Sequence, residues 1–93
     1  MDKKPRRPGL MERTADFLDL PADVLADLPR LELVGDRELR MENHKGILAY
    51  GSGEIHVSGG AFVVKITGQN LELRAMTGLE VLITGTIEQI RLS

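Results

Sequence analysis

Two histidines, three serines and two short glycine-serine runs carry whatever chemistry this chain could do. His44 stands two residues after Glu42 in Glu-Asn-His-Lys-Gly. An imidazole beside a carboxylate could serve as a general base or a metal ligand, but a polar turn residue ahead of Gly46 accounts for it equally well. His56 lies inside Glu-Ile-His-Val-Ser with no second histidine at ligand spacing. Ser52, Ser58 and Ser93 lack the sharp glycine turn that exposes a nucleophile. Gly-Ser-Gly at 51–53 and Ser-Gly-Gly at 58–60 could offer backbone N–H groups to an anion, but neither opens a helix. The residues therefore assign no catalytic, cofactor-binding or metal-binding position, and the chain reads as a non-enzyme.

The elements that would position these residues are short. From Leu31 onward, apolar-alternating runs return about every eight residues: 31–34, 38–41, 46–50, 54–58, 62–66, 71–75, 79–84 and 87–92. Such spacing, broken by glycines, predicts a small antiparallel β-sandwich of seven or eight strands over residues 31–93. Alternation sets the expected core: Leu31, Leu33, Leu39, Met41, Ile47, Ile55, Val57, Phe62, Val64, Ile66, Leu71, Leu73, Val81, Ile83 and Ile90. Gly35, Gly51, Gly53, Gly59–Gly60, Gly68 and Gly85 are expected to end strands. Ile87 and Ile90 break the alternation, which predicts a bulge near Glu88–Gln89. The run 46–50 is apolar on both faces, so it is either a central strand or one whose outer face meets another element or subunit. The triplet Ile-Thr-Gly recurs 17 residues apart, at 66–68 and 83–85. That spacing keeps a short β-solenoid open as an alternative.

Ahead of the strands, residues 1–10 read as a disordered basic leader and residues 11–30 as a segment of one or two short helices. Residues 1–14 carry five basic and two acidic groups, and residues 15–30 carry four aspartates and one arginine. Pro21 suits the first turn of a second helix, and Pro29 stops it at Leu28. Helices this short need something to dock on.

Composition excludes several classes. The 93 residues contain no cysteine, which removes disulfides and thiolate metal sites and suits a reducing compartment. Phe17, Tyr50 and Phe62 are the only aromatics, and the β-region carries eight acidic against six basic groups. A nucleic-acid binder would offer more stacking platforms and more positive charge. No apolar run approaches the length of a membrane-spanning helix. A glycan- or ligand-binding β-module remains the alternative, with Tyr50 and Phe62 as its sole platforms.

Four stretches, in order and spacing together, resemble the YabP/YqfC family of sporulation proteins from endospore-forming Firmicutes, its YqfC branch above all. They are LPR before ELVG, ENHKGILAY around Asn43, His44, Gly46 and Ile47, EIHV followed by ITGQNL from Gly68 to Leu71, and ITGTIEQIRL around Gly85 and Ile87. The resemblance spans residues 13–92. It implies an immunoglobulin-like β-sandwich with no catalytic residues and no cofactor. It also implies a cytoplasmic protein on the mother-cell side of the forespore membrane, acting in spore coat or cortex formation. Its implied partner is a sporulation membrane protein encoded nearby, with a homo-oligomer also possible, and with neither nucleic acid nor a small-molecule substrate. Gly59–Gly60–Ala61 makes one turn smaller than the family pattern. Candidate interface residues are Asn43, His44, Leu48 and Tyr50, and His44→Ala is expected to leave the fold intact.

Overall fold

In the computed structural model, which describes residues 27–93, six strands follow one another: β1 (Arg30–Val34), β2 (Glu38–Glu42), β3 (Ile47–Tyr50), β4 (Glu54–Ser58), β5 (Val63–Met76) and β6 (Glu80–Leu92). They form one sheet in the order β1-β2-β6-β5-β4-β3. Every pairing is antiparallel. This removes the solenoid, whose rungs stack in parallel. The expected leader and the expected helical residues up to 26 lie outside the described residues. No helix among the described residues is long and apolar enough to cross a membrane.

Eight expected strands become six in one continuous sheet, in place of two separate sheets. The runs 62–66 and 71–75 fuse into β5, and 79–84 and 87–92 fuse into β6. Gly68 and Gly85, expected to end strands, lie inside them. The reason is a close backbone crossing. A Cβ on Gly68 would run into the Thr86 carbonyl, and one on Gly85 would sit 2.6 Å from the Asn70 carbonyl oxygen. Gly85 also holds φ at +137°, and Asn70 at +55°, a region that glycine and asparagine enter most easily. The predicted bulge is present: Thr67 faces Gln89 and Gly68 faces Ile87, which leaves Glu88 as the extra residue.

The sheet is built from two equivalent halves. In each, a short hairpin pairs with the first stretch of a long strand. Leu33, Leu39 and Ile83 stand in register across β1, β2 and β6 as Tyr50, Ile55 and Ile66 do across β3, β4 and β5. The turns match too. Ile87 N–H donates to the Asp36 carbonyl at 2.7 Å, and Leu71 N–H donates to the Ser52 carbonyl at 2.8 Å. The long strands pair with each other along their whole length, from Val64 opposite Leu92 to Met76 opposite Val81, so the second stretch of each extends the other half.

The inner faces of both halves meet in one apolar cluster: Leu39, Met41, Val81 and Ile83 from one half and Ile55, Val57, Val64 and Ile66 from the other, with Leu71 and Ile87 at the crossing. Each fully buried aliphatic side chain contributes about 1.5–3 kcal/mol. Leu31, Ile47, Phe62, Leu73 and Ile90 pack against the cluster only in part. Leu33, expected in the core, is 50% exposed because β1 is an edge strand. Ile87, absent from the expected core, is buried because it continues the odd-numbered inner face of Val81 and Ile83, and the extra residue Glu88 that follows shifts Ile90 into step with it.

Candidate functional site

The segment 43–46 joins β2 to β3, and its geometry follows from Asn43. With φ at +63°, Asn43 turns the chain out of the ladder in a conformation that asparagine tolerates better than most residues. Its N–H donates to the Leu79 carbonyl at 2.7 Å, and its side-chain amide donates to the Leu28 carbonyl at 3.1 Å. The turn brings His44 beneath the β5–β6 hairpin, where it is only 6% exposed. Its Nε2 lies 2.8 Å from the Thr77 carbonyl oxygen, and its Nδ1 lies 3.0 Å from the Gly46 N–H. A carbonyl only accepts and an N–H only donates, so the imidazole is neutral with its proton on Nε2. Both ring nitrogens are occupied, and no lone pair is left to bind a metal or abstract a proton.

The arrangement is a clamp. Lys45 N–H donates to the Ser58 carbonyl and Ser58 N–H to the Gly46 carbonyl, both at 2.8 Å. Thr77 Oγ1 accepts from the Leu79 and Glu80 N–H groups and so closes the opposing turn. His44 is therefore not a solvent-facing turn residue. Set against the expectation that His44→Ala leaves the fold intact, the substitution removes two hydrogen bonds at a buried position and should carry a stability cost. Its partner Thr77 is 33 residues away, too far for any local signal.

Leu48 and Tyr50 lie elsewhere, on β3. The run 46–50 is an edge strand and not a central one. Leu48 occupies an irregularity between Ile47 and Ala49. Tyr50 stands opposite Ile55, at the margin of the inner face, and both Leu48 and Tyr50 are 59% exposed. The four candidate residues thus divide into a clamp, half-buried Asn43 and buried His44, and an open edge, Leu48 and Tyr50. The small turn at Gly59 is filled rather than empty: a Cβ there would press on Pro29 Cγ at 3.2 Å and the Phe62 ring at 3.3 Å.

His56 pairs with the Glu54 carboxylate on the outer face of β4. Among the described residues no group of three or more histidine, aspartate or glutamate side chains could hold a metal ion.

A groove of about 270 Å³ lies where the end of β1 and its turn meet the second stretch of β6. Leu33, Ile87 and Ile90 line it, together with Asp36 and Glu88. The sequence reading missed this feature, although its signal was present: Ile87 and Ile90 at a spacing of three around a bulge. The volume lies below the usual range for small-molecule cavities, about 300–1,000 Å³, and suits side chains better than a whole ligand.

A family model described as the YabP family matches residues 27–93. The chain is 35% identical over 74 residues, 80% of each chain, to "Uncharacterized protein YqfC" of Bacillus subtilis (strain 168). No solved structure matches it.

Proposed function

This chain belongs to the YabP family, and from that premise we infer that it is a non-enzymatic sporulation protein working through contacts with other proteins. The reading places it in the mother-cell cytoplasm at the forespore membrane. There it assists coat or cortex formation beside a membrane protein encoded nearby. Family membership is the observation that carries the reading.

Two features of the molecule support it. Both ring nitrogens of the one buried histidine are engaged by backbone groups, so the residue most suited to chemistry is committed to structure. Both edges of the sheet, β1 and β3, carry half-exposed apolar side chains, Leu33, Leu48 and Tyr50. Open edges of this kind are templates for association.

The test is a fluorescent fusion followed through sporulation, together with deletion of the chromosomal copy. The expected result is a signal lining the engulfed forespore and spores with a defective coat or cortex. Diffuse fluorescence at every stage, with normal spores from the deletion strain, would overturn the reading.

A further inference from the structure

We propose that the groove between β1 and the second stretch of β6 is a docking slot for an extended segment of a partner protein, one that presents an apolar side chain beside a lysine or arginine. The proposal rests on the contact-protein reading above and names the surface and the chemistry of the contact.

Three observations carry it. The first is backbone polarity. Val63 and Ser93 exchange both of their hydrogen bonds, at 2.8 and 3.0 Å. Antiparallel pairs alternate between bonded and non-bonded. Leu92 opposite Val64 and Ile90 opposite Ile66 therefore turn their N–H and C=O groups away from β5. Among the described residues no further strand pairs with that side of β6 or with the outer side of β1. A strand laid there gains main-chain hydrogen bonds, the means by which extended peptides add to sheets.

The second observation is the floor. Leu33, Ile87 and Ile90 form an apolar surface, and Leu33 is half exposed although it stands opposite the fully buried Leu39. An incoming apolar side chain would complete the coverage that the edge strand leaves open.

The third is charge. Asp36 and Glu88 flank the floor, and no lysine or arginine lines it. Arg37 reaches Asp36 only through an exposed contact at 3.7 Å, which is weak. Glu88 accepts a hydrogen bond from the neutral Gln69 amide at 2.7 Å. The equivalent turn of the other half carries Ser52 in place of Asp36, and the Glu72 that follows Leu71 there has the Arg74 guanidinium 3.5 Å away. The paired carboxylates therefore mark this side alone and favour a basic occupant.

The test titrates two synthetic octapeptides, one alternating valine with lysine and the other valine with glutamate, into the isotope-labelled full chain. Amide resonances are followed by NMR. The expected result is saturable shifts confined to Leu33, Asp36 and Glu88 to Leu92, with the lysine peptide binding at least tenfold more tightly. Leu33→Asp should abolish those shifts while leaving the rest of the spectrum in place. Asp36→Asn with Glu88→Gln should remove the preference between the peptides.

No shifts, equal affinity for both peptides, or shifts on β3 instead would overturn the proposal. So would a slot already occupied in the free protein: by residues 1–26, revealed when their deletion exposes it, or by a second copy, revealed when its signals move on dilution. Forespore localisation retained by Leu33→Asp would leave the contact reading standing while the slot fails. A wild-type protein that binds the lysine peptide in the slot but never gathers at the forespore would do the reverse.

Discussion

The half made of β1, β2 and the start of β6 and the half made of β3, β4 and the start of β5 share a register but not a rim. Inside, Leu39, Met41, Val81 and Ile83 do for one half what Ile55, Val57, Val64 and Ile66 do for the other. All eight are buried, and they pack into one cluster, so each constrains its counterpart across the core. Outside, no such constraint operates. One edge ends in Leu33, a turn with Asp36 and a bulge with Glu88, while the other ends in Tyr50, a turn with Ser52 and an irregularity at Leu48. The core preserves the equivalence because close packing punishes change, and the edges are where the halves diverge. A difference at equivalent edge positions is therefore the better guide to what the protein touches.

The largest effect is expected at the crossing that both halves share. Gly68→Val and Gly85→Val each force a side chain into opposing backbone, and backbone cannot swing aside as a side-chain end can. Neither variant should show a cooperative unfolding transition in urea. A folded, two-state Gly68→Val would mean that the strands do not cross there.

The equivalence of the two interiors is tested next. Leu39→Ala and Ile55→Ala should each cost about 2–5 kcal/mol, the range for large-to-alanine changes in cores. The two losses, read from urea midpoints, should agree within roughly 1 kcal/mol. A gap of about 3 kcal/mol would show that one half carries the fold and the other follows it.

His44→Ala breaks the clamp that holds the link between the halves against the β5–β6 turn. It should cost about 2–3 kcal/mol, since two backbone groups lose partners at a buried site. His44→Gln should recover only part of this, because an amide does not reproduce both ring contacts. Nitrogen chemical shifts of the His44 ring should report a neutral imidazole protonated at Nε2. A cost below about 0.5 kcal/mol would return His44 to the status of an ordinary turn residue.

Smaller effects separate inner from outer positions. Val64→Ala should cost about 1–3 kcal/mol through lost burial and a cavity. Val63→Ala, one step along on the half-buried outer face, should cost less. At the rims, Leu33→Ser and Tyr50→Ser should each cost under about 1 kcal/mol. Thermal melts of all four variants would rank them, and a rim loss as large as that of Val64→Ala would place Leu33 or Tyr50 in the core after all.

The alternating runs by themselves determined that this chain is a small antiparallel β-protein, and they determined which side of most strands faces inward. Leu39, Met41, Ile55, Val57, Val64, Ile66, Leu71, Val81 and Ile83 were all legible, because alternation is a local property of strand geometry. The bulge at Glu88 was legible for the same reason, since Ile87 and Ile90 break step within four residues. The four stretches carrying the family resemblance were legible as well. Only the tertiary structure decided that Gly68 and Gly85 are crossings and not turns, because both roles call for a residue without a Cβ, and the deciding contact is with a strand elsewhere in the chain. It alone placed β1 and β3 at the edges, which exposes Leu33 although its alternation reads as core, and which decides that the run 46–50, apolar on both faces, is not a central strand. It alone buried His44 against Thr77. Edge, crossing and clamp are relations between distant segments, and a pattern of neighbouring residues holds no record of them.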